Sequence, residues 1–221
     1  MFDNIAPSYD FLNHFLSLGI DILWRRKAIR MLKMQSPERV IDIATGTGDF
    51  AIEALRMNPT EVIGLDISPG MLEVGRQKMI KKGLDQKIRM ELGESEQLPY
   101  PDAYADAITV GFGARNFEDL DKGLSEMYRV LKPGGKAVIL EPSFPSSFPM
   151  KQLFGLYFKY ILPGLGKLFS KDSHAYTYLP QSVAAFPEGE AFLQICRKAG
   201  FTKSAWHPLT FGICALYVLE K

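Results

Sequence analysis

The stretch Val40-Ile-Asp-Ile-Ala-Thr-Gly-Thr-Gly-Asp-Phe-Ala51 decides how this chain is read. An apolar, β-branched run breaks into glycines and then into a helix-like pattern, the order in which an open α/β sheet holds a nucleotide-like ligand. Gly46 and Gly48 carry no Cβ, so the backbone can turn sharply and approach a ligand closely. The helix that follows offers N–H groups without intrahelical partners to a carboxylate or phosphate.

Alone, Gly46-Thr-Gly48-Asp-Phe-Ala51 also fits the G-x-G-x-x-G/A fingerprint of NAD and FAD sites. The next apolar run, Glu61-Val-Ile-Gly-Leu-Asp66, ends in an acid about twenty residues past the glycines, placed to accept ribose hydroxyls. NAD and S-adenosylmethionine share that ribose, so Asp66 separates neither.

Outward from this stretch, 221 residues at 47% apolar suffice for one sizeable α/β core, and a single domain is expected. With 26 basic against 25 acidic residues the net charge is +1, which lacks the electrostatic footprint of nucleic-acid binding. Cys196 and Cys214 lie far apart, outside any C-x-x-C or Cys/His pattern, and read as core thiols of a reducing compartment, with no disulfide and no zinc. No carboxylate or His cluster has metal-ligand spacing, so no metal is expected. Neither a secretory signal nor a run of about 20 apolar residues is present, which points to the cytoplasm. The opening Met1-Phe2-Asp3 falls inside an amphipathic segment, an abrupt start that leaves room for residues upstream.

Between residues 9 and 33, Leu12, Phe15, Leu16, Ile20, Leu23, Trp24, Ile29 and Leu32 recur at helical intervals, with Gly19 dividing two helices. Strands are expected at 39–44, 61–65, 88–92, 106–111 and 136–141, and helices at 49–57, 70–82 and 120–131. This alternation predicts a parallel sheet covered on both faces. Ser68-Pro69-Gly70 starts one helix, and Leu131-Lys-Pro-Gly-Gly135 ends another in a turn. Gln194–Phe201 precedes two β-like runs, Ser204–Phe211 and Ile213–Leu219, joined through Gly212 as a C-terminal hairpin. A dinucleotide fold would continue as βα units or pass to a substrate domain, for which there is no room.

Arg129-Val-Leu-Lys-Pro-Gly-Gly135 before a strand resembles class I methyltransferases, although a plain helix-to-strand turn explains it equally well. Longer phrases narrow the resemblance: Met1-Phe-Asp-Asn-Ile-Ala-Pro-Ser-Tyr-Asp10, Ala44-Thr-Gly-Thr-Gly-Asp49, Asp66-Ile-Ser-Pro-Gly-Met-Leu72, Glu96-Gln-Leu-Pro-Tyr-Pro101, Phe112-Gly-Ala-Arg-Asn116 and Tyr176-Thr-Tyr-Leu-Pro-Gln-Ser182. With these the whole chain resembles the menaquinone and ubiquinone biosynthesis C-methyltransferase family. The resemblance implies a Rossmann-like class I fold, a mostly parallel seven-stranded sheet with helices on both faces and an antiparallel C-terminal hairpin strand. It also implies a methyl group passed from S-adenosylmethionine to a ring carbon of a prenylated quinol of the demethylmenaquinol type, leaving S-adenosylhomocysteine. The alternatives are a benzoquinol acceptor or another phenolic or sterol-like molecule.

Carried over by residue, the resemblance places Ala44, Gly46, Thr47 and Gly48 at the methionine end of the donor and Asp66 on the ribose. Glu94 and Ser95 would lie beside the adenine, and Gly111 near the methyl group. Two departures stand out: typical members carry Ala-Gly-Gly-Thr-Gly-Asp where this chain has Ala44-Thr-Gly-Thr-Gly-Asp49, and Asn-Ala where it has Glu94-Ser95. Thr45 adds a β-branched side chain at a turn, and an ionised Glu94 only accepts hydrogen bonds.

Methyl transfer from a sulfonium disperses charge, so a dry aromatic pocket that aligns donor and acceptor carbon suits it. Deprotonating a quinol hydroxyl pushes electron density onto the neighbouring carbon, and Arg115 is the first choice to stabilise the oxyanion. The plainer reading of Arg115 is a structural salt bridge. Tyr9, Asp10, Tyr176 and Tyr178 would close over the acceptor from both ends of the chain, or would simply pack the lid. His14 reads as a structural histidine on an apolar helix, and His174 and His207 are no better supported.

Within one domain, 1–221, residues 1–34 supply N-terminal helices and 142–182 an insertion forming a substrate lid. From Pro142 to Lys171 there is no Asp or Glu, while Lys151, Lys159, Lys167 and Lys171 alternate with Phe144, Phe148, Phe154, Tyr157, Phe158, Tyr160 and Phe169. Pro163-Gly164 rules out one long spanning helix. The segment is read as a lid in peripheral contact with the membrane surface, or else as a helix covering one sheet face. A non-catalytic quinone- or membrane-binding scaffold is the contrasting class, against which the intact Gly46-x-Gly48 and Asp66 argue. Oligomeric state is left open.

Overall fold

The computed structural model describes residues 17–156 and 174–221. In chain order these form α1 (Ile20–Leu32), β1 (Arg39–Ile43), α2 (Asp49–Ala54), β2 (Glu61–Asp66), α3 (Pro69–Lys82), β3 (Ile88–Leu92) and β4 (Ala105–Gly111). There follow α4 (Leu120–Val130), β5 (Leu131–Pro142), α5 (Met150–Leu156), α6 (His174–Ala185), α7 (Glu190–Lys198), β6 (Lys203–Leu209) and β7 (Cys214–Glu220).

The seven strands lie in one sheet, ordered β3-β2-β1-β4-β5-β7-β6. Neighbours from β3 to β5 run parallel, whereas β7 is antiparallel to both β5 and β6. The expected seven-stranded sheet with a C-terminal hairpin is therefore observed. Central strands such as Val40-Ile-Asp-Ile43 lack apolar–polar alternation because both sheet faces are covered. On one face Ile41, Ile43, Ile63 and Ile108 pack beneath Leu124 and Met127 of α4 and Phe192 of α7. On the other, Val40, Val62 and Ala107 pack beneath Trp24, Ala28 and Leu32 of α1, Phe50 of α2 and Met79 of α3. Asp42 alternates with Ile41 and Ile43, so it points to this second face.

Local chemistry sets the element ends. Ser68 Oγ accepts from Met71 N at 3.2 Å with Pro69 at the first helical position, and Asp119 Oδ1 accepts from Lys122 N at 3.0 Å. The predicted helix over 49–57 ends earlier, at Ala54, and tightens into a 3-10 turn over Leu55–Met57. Gly19, at φ +75°, marks the start of α1. The segment before residue 17 lies outside the described residues.

Leu131-Lys-Pro-Gly-Gly135 differs from the expected simple turn. Leu131 already pairs with Ala105, and pairing resumes at Lys136 with Ala107, so the four residues between form a wide bulge within β5. A Cβ on Gly135 would stand 2.8 Å from the Lys132 carbonyl oxygen and 3.0 Å from that of Asp106. Only glycine fits that close backbone approach.

Candidate functional site

The carboxyl ends of β1, β2 and β4 meet at one rim of the sheet. The turn after β1 uses left-handed backbone at Ala44 (φ 52°), Gly46 (φ 57°) and Gly48 (φ 87°). Thr45 N donates to the Leu65 carbonyl at 3.0 Å, and Gly48 N to the Thr45 carbonyl at 2.9 Å, so the turn is sewn to β2 and to itself. Asp66 completes the join: its Oδ2 accepts from Gly46 N at 2.7 Å and its Oδ1 from Ser68 N at 2.9 Å.

Beside this join lies a crevice of about 290 Å³ whose walls include Ala44, Gly46, Asp66, Glu94, Ser95 and Phe112. A second hollow of about 20 Å³, one water in size, lies next to it and is lined by Arg25, Asp42, Thr45, Thr47, Gly111 and others. Ala44 and Phe112 border both spaces. Both residues have positive φ without being glycine, a conformation that carries strain and clusters at ligand sites.

Five of the eight donor-binding residues expected from sequence thus line the crevice, and Thr47 and Gly111 line the hollow with Ala44. Gly48 lines neither. A Cβ there would stand 2.4 Å from Met79 Cε, so its lack of a side chain admits α3. Thr47 Oγ1 accepts from Lys78 Nζ at 3.0 Å, and Lys78 also binds Asp49 at 2.9 Å.

The crevice is acidic. Asp66, Glu94, Glu96 and Glu118 line it, and among the described residues no Lys or Arg does. Glu96 fixes the rim, accepting from Glu118 N at 2.8 Å and from Ser95 Oγ at 2.8 Å. Glu94 is exposed and forms an isolated bridge with Gln97.

Sequence reasoning missed Asp42. Its carboxylate is 0% exposed and accepts from Thr45 Oγ1 at 2.5 Å and Thr109 Oγ1 at 2.7 Å. Burial pushes its pKa up to about 6, against the opposing pull of the two hydroxyls and Arg25. Arg25, on α1, is paired with Asp21 one turn earlier and stands 5.6 Å from the Phe112 ring centre. The available signal was one acid between the β-branched, buried residues Val40, Ile41 and Ile43.

Past β4 the rim is made of side chains. Arg115 sits in the 3-10 turn Ala114–Asn116. Its Nη1 donates to Glu141 Oε2 at 3.0 Å and to the Phe112 carbonyl, and its main-chain N donates to Glu141 Oε1 at 3.2 Å. The pair is buried, at 9% and 1% exposure. Desolvation holds the Glu141 pKa above the usual carboxylate range, and Arg115 opposes that shift. Arg115 Nε is buried without a partner among the described residues.

Tyr178, on α6, donates from its hydroxyl to Asn116 Oδ1 at 2.9 Å, joining α6 to the crevice wall. Tyr176 belongs to the same helix, but its side chain lies outside the described residues, as do Tyr9, Asp10 and His14. Of the basic aromatic run, Phe144 meets Phe154 edge-on at 6.1 Å and Phe148 is 81% exposed. The part from 157 to 173 lies outside the described residues. Among the described residues, no group of three or more His, Cys, Asp or Glu could hold a metal ion, and no helix is long and apolar enough to cross a membrane.

The sequence profile of the ubiE/COQ5 methyltransferase family matches residues 1–221. Demethylmenaquinone methyltransferase of Bacteroides fragilis is 57% identical over 222 residues, spanning 100% of this chain and 91% of that protein. The protein of the same name from Deinococcus radiodurans is 50% identical over 222 residues, with the same coverage of 100% and 91%. In fold, the crystal structure of a SAM-dependent methyltransferase from Aquifex aeolicus superposes with a TM-score of 0.62 at 17% identity, covering 91% of each chain.

Proposed function

This chain belongs to the ubiE/COQ5 methyltransferase family, and on that premise we propose that it transfers a methyl group from S-adenosylmethionine to a ring carbon of demethylmenaquinol, giving menaquinol. The observation that carries the donor half is the sign of the crevice: four carboxylates line it, with no opposing Lys or Arg among the described residues. Such a wall attracts a sulfonium cation and repels the pyrophosphate of a dinucleotide. Bound there, S-adenosylmethionine supplies an electrophilic methyl group.

The residues present fit that donor. Asp66 accepts from the main-chain N–H groups of Gly46 and Ser68, which fix its carboxylate at the crevice wall as an acceptor for ribose hydroxyls. Glu94 and Ser95 line the same crevice, and Glu94 accepts from an amino group such as that of adenine. We assign the ammonium of the donor's amino-acid end to Asp42, the buried carboxylate beneath the glycine turn. Phe112 and Phe117 present aromatic surface at the crevice, suited to a cation without a tight hydration shell.

For the acceptor we assign Arg115, whose Nε–H has no partner among the described residues, to a quinol ring oxygen, where it stabilises the oxyanion formed as the ring carbon attacks. Tyr178 orients the acceptor from α6 through its bond to Asn116, with Tyr9, Asp10 and Tyr176 completing the lid. In this reading residues 1–221 act as one domain, with 1–34 and 142–182 closing over the substrate. The protein works in the cytoplasm, in peripheral contact with the bilayer that holds the prenyl tail. Exposed Phe148 just before α5, with Leu153, Leu156 and Lys151 on α5, supports such a contact.

The test is transfer of radiolabelled methyl from S-adenosylmethionine to chemically reduced demethylmenaquinone, run beside a prenylated benzoquinol, a phenol and a sterol. Label in the naphthoquinol is expected. Turnover of another acceptor with none of the naphthoquinol would overturn the reading.

A further inference from the structure

Asp42 is flanked in register by Gly64 of β2 and Thr109 of β4. Thr109 donates its hydroxyl to one carboxylate oxygen from its own strand. Gly64 has no side chain to donate from, and the matching bond on that side comes instead from Thr45 in the turn above. A Cβ at position 64 would stand 2.9 Å from Thr45 Oγ1 and 3.0 Å from Thr45 Cγ2, so the absent side chain is the space that Thr45 occupies. Thr45 is the residue at which this chain departs from the Ala-Gly-Gly-Thr-Gly-Asp phrase typical of the family it resembles.

We infer that Thr45, accommodated by Gly64, is a positioning residue that keeps Asp42 ionised for the donor's ammonium and so sets the lower pH limit of donor binding. The inference rests on the donor assignment made above. A carboxylate gains from a hydroxyl donor only in its charged form, so each such bond favours ionisation. Among the described residues, the charged groups around Asp42 are Arg25 with Asp21 from α1, and Asp49, paired with Lys78 of α3, from α2. The strands beside it contribute only Gly64 and Thr109. Burial works against the charge, with half-protonation at about pH 6, so removing one hydroxyl moves the loss of charge toward neutrality.

Calorimetric titration with S-adenosylhomocysteine, which retains the ammonium, would be run from pH 5 to 8 on wild type, Thr45→Val and Thr45→Ser. Wild-type affinity is expected to fall as pH drops through about 6. Thr45→Val, isosteric but without the hydroxyl, is expected to show that fall about one pH unit higher. Thr45→Ser is expected to restore the wild-type profile. Coincident profiles for Val and wild type, or tight wild-type binding that does not vary over this range, would overturn the inference while leaving the donor reading intact. No wild-type binding at any pH overturns both. Carboxyl carbon-13 titration of Asp42 in the wild type needs no variant: a midpoint near pH 6 supports the inference, and one below about 4, the ordinary aspartate range, refutes it.

Discussion

Along one rim of the sheet, the turn after β1 aims the main-chain N–H of Gly46 at Asp66, whereas past β4 the charge of Arg115 is already met by Glu141. The first region is backbone-built: positive-φ residues and a strand-end acid create a crevice that opens outward. The second is side-chain-built and closed on itself, with one partnerless nitrogen to spare among the described residues. On the proposed reading, the contrast is between a donor site that is stiff before its ligand arrives and an acceptor site that draws its charge from a pair also supporting the fold.

The strongest way to break this comparison is Arg115→Ala. Leaving Glu141 buried without its cation is expected to cost about 3–5 kcal/mol of stability, read by urea denaturation. Arg115→Ala combined with Glu141→Leu should recover most of that loss yet leave turnover absent. Full turnover in the double variant would reduce the pair to scaffolding. Next in size, Asp66→Ala should weaken S-adenosylhomocysteine binding about 100-fold by calorimetry, because charge-assisted bonds to ribose are lost together with the tie to Gly46.

Asp42→Asn is expected to split stability from function. The folded value of about 6 lies above the 3.8 of a fully hydrated aspartate carboxyl, as in the unfolded chain, so wild type loses stability as pH rises between them. Above pH 6 the Asn variant should therefore be more stable, by at most about 3 kcal/mol, while binding the donor more weakly. Thermal melts at pH 4 and pH 8 check the sign: the gain should appear only at the higher pH. The smallest effect belongs to Tyr178→Phe, which removes the bond to Asn116. It should raise KM for the quinol a few-fold, about 1 kcal/mol, with donor affinity unchanged.

The same division explains what could be read from sequence. The strands over 39–43, 61–66 and 105–111, the glycine turn and Asp66 were legible because two-sided burial and tight turns demand particular residue types locally. Gly48 was harder: its missing side chain suggests ligand approach, yet the atom it makes room for is Met79 Cε on α3. The bulge at Lys132–Gly135 was hidden because a helix-ending turn and a strand interruption use the same Pro-Gly-Gly chemistry. Arg115 could be singled out, but its partner sits 26 residues away, and only the β4–β5 alignment brings them together. Asp42 gave no signal of its role within the expected strand, because its hydroxyl partners Thr45 and Thr109 are set by the turn and by the β1–β4 register.

The placement of β7 carries a consequence for how the chain comes to be folded. It follows β6 in sequence yet lies between β5 and β6, so the edge strand has nothing to pair with until Cys214–Glu220 has been made. Emerging from the ribosome, the chain can assemble the rim around Asp66 from its first five strands. The flank of β5 that carries Glu141 must wait, exposed, for the last strand to slide into its slot.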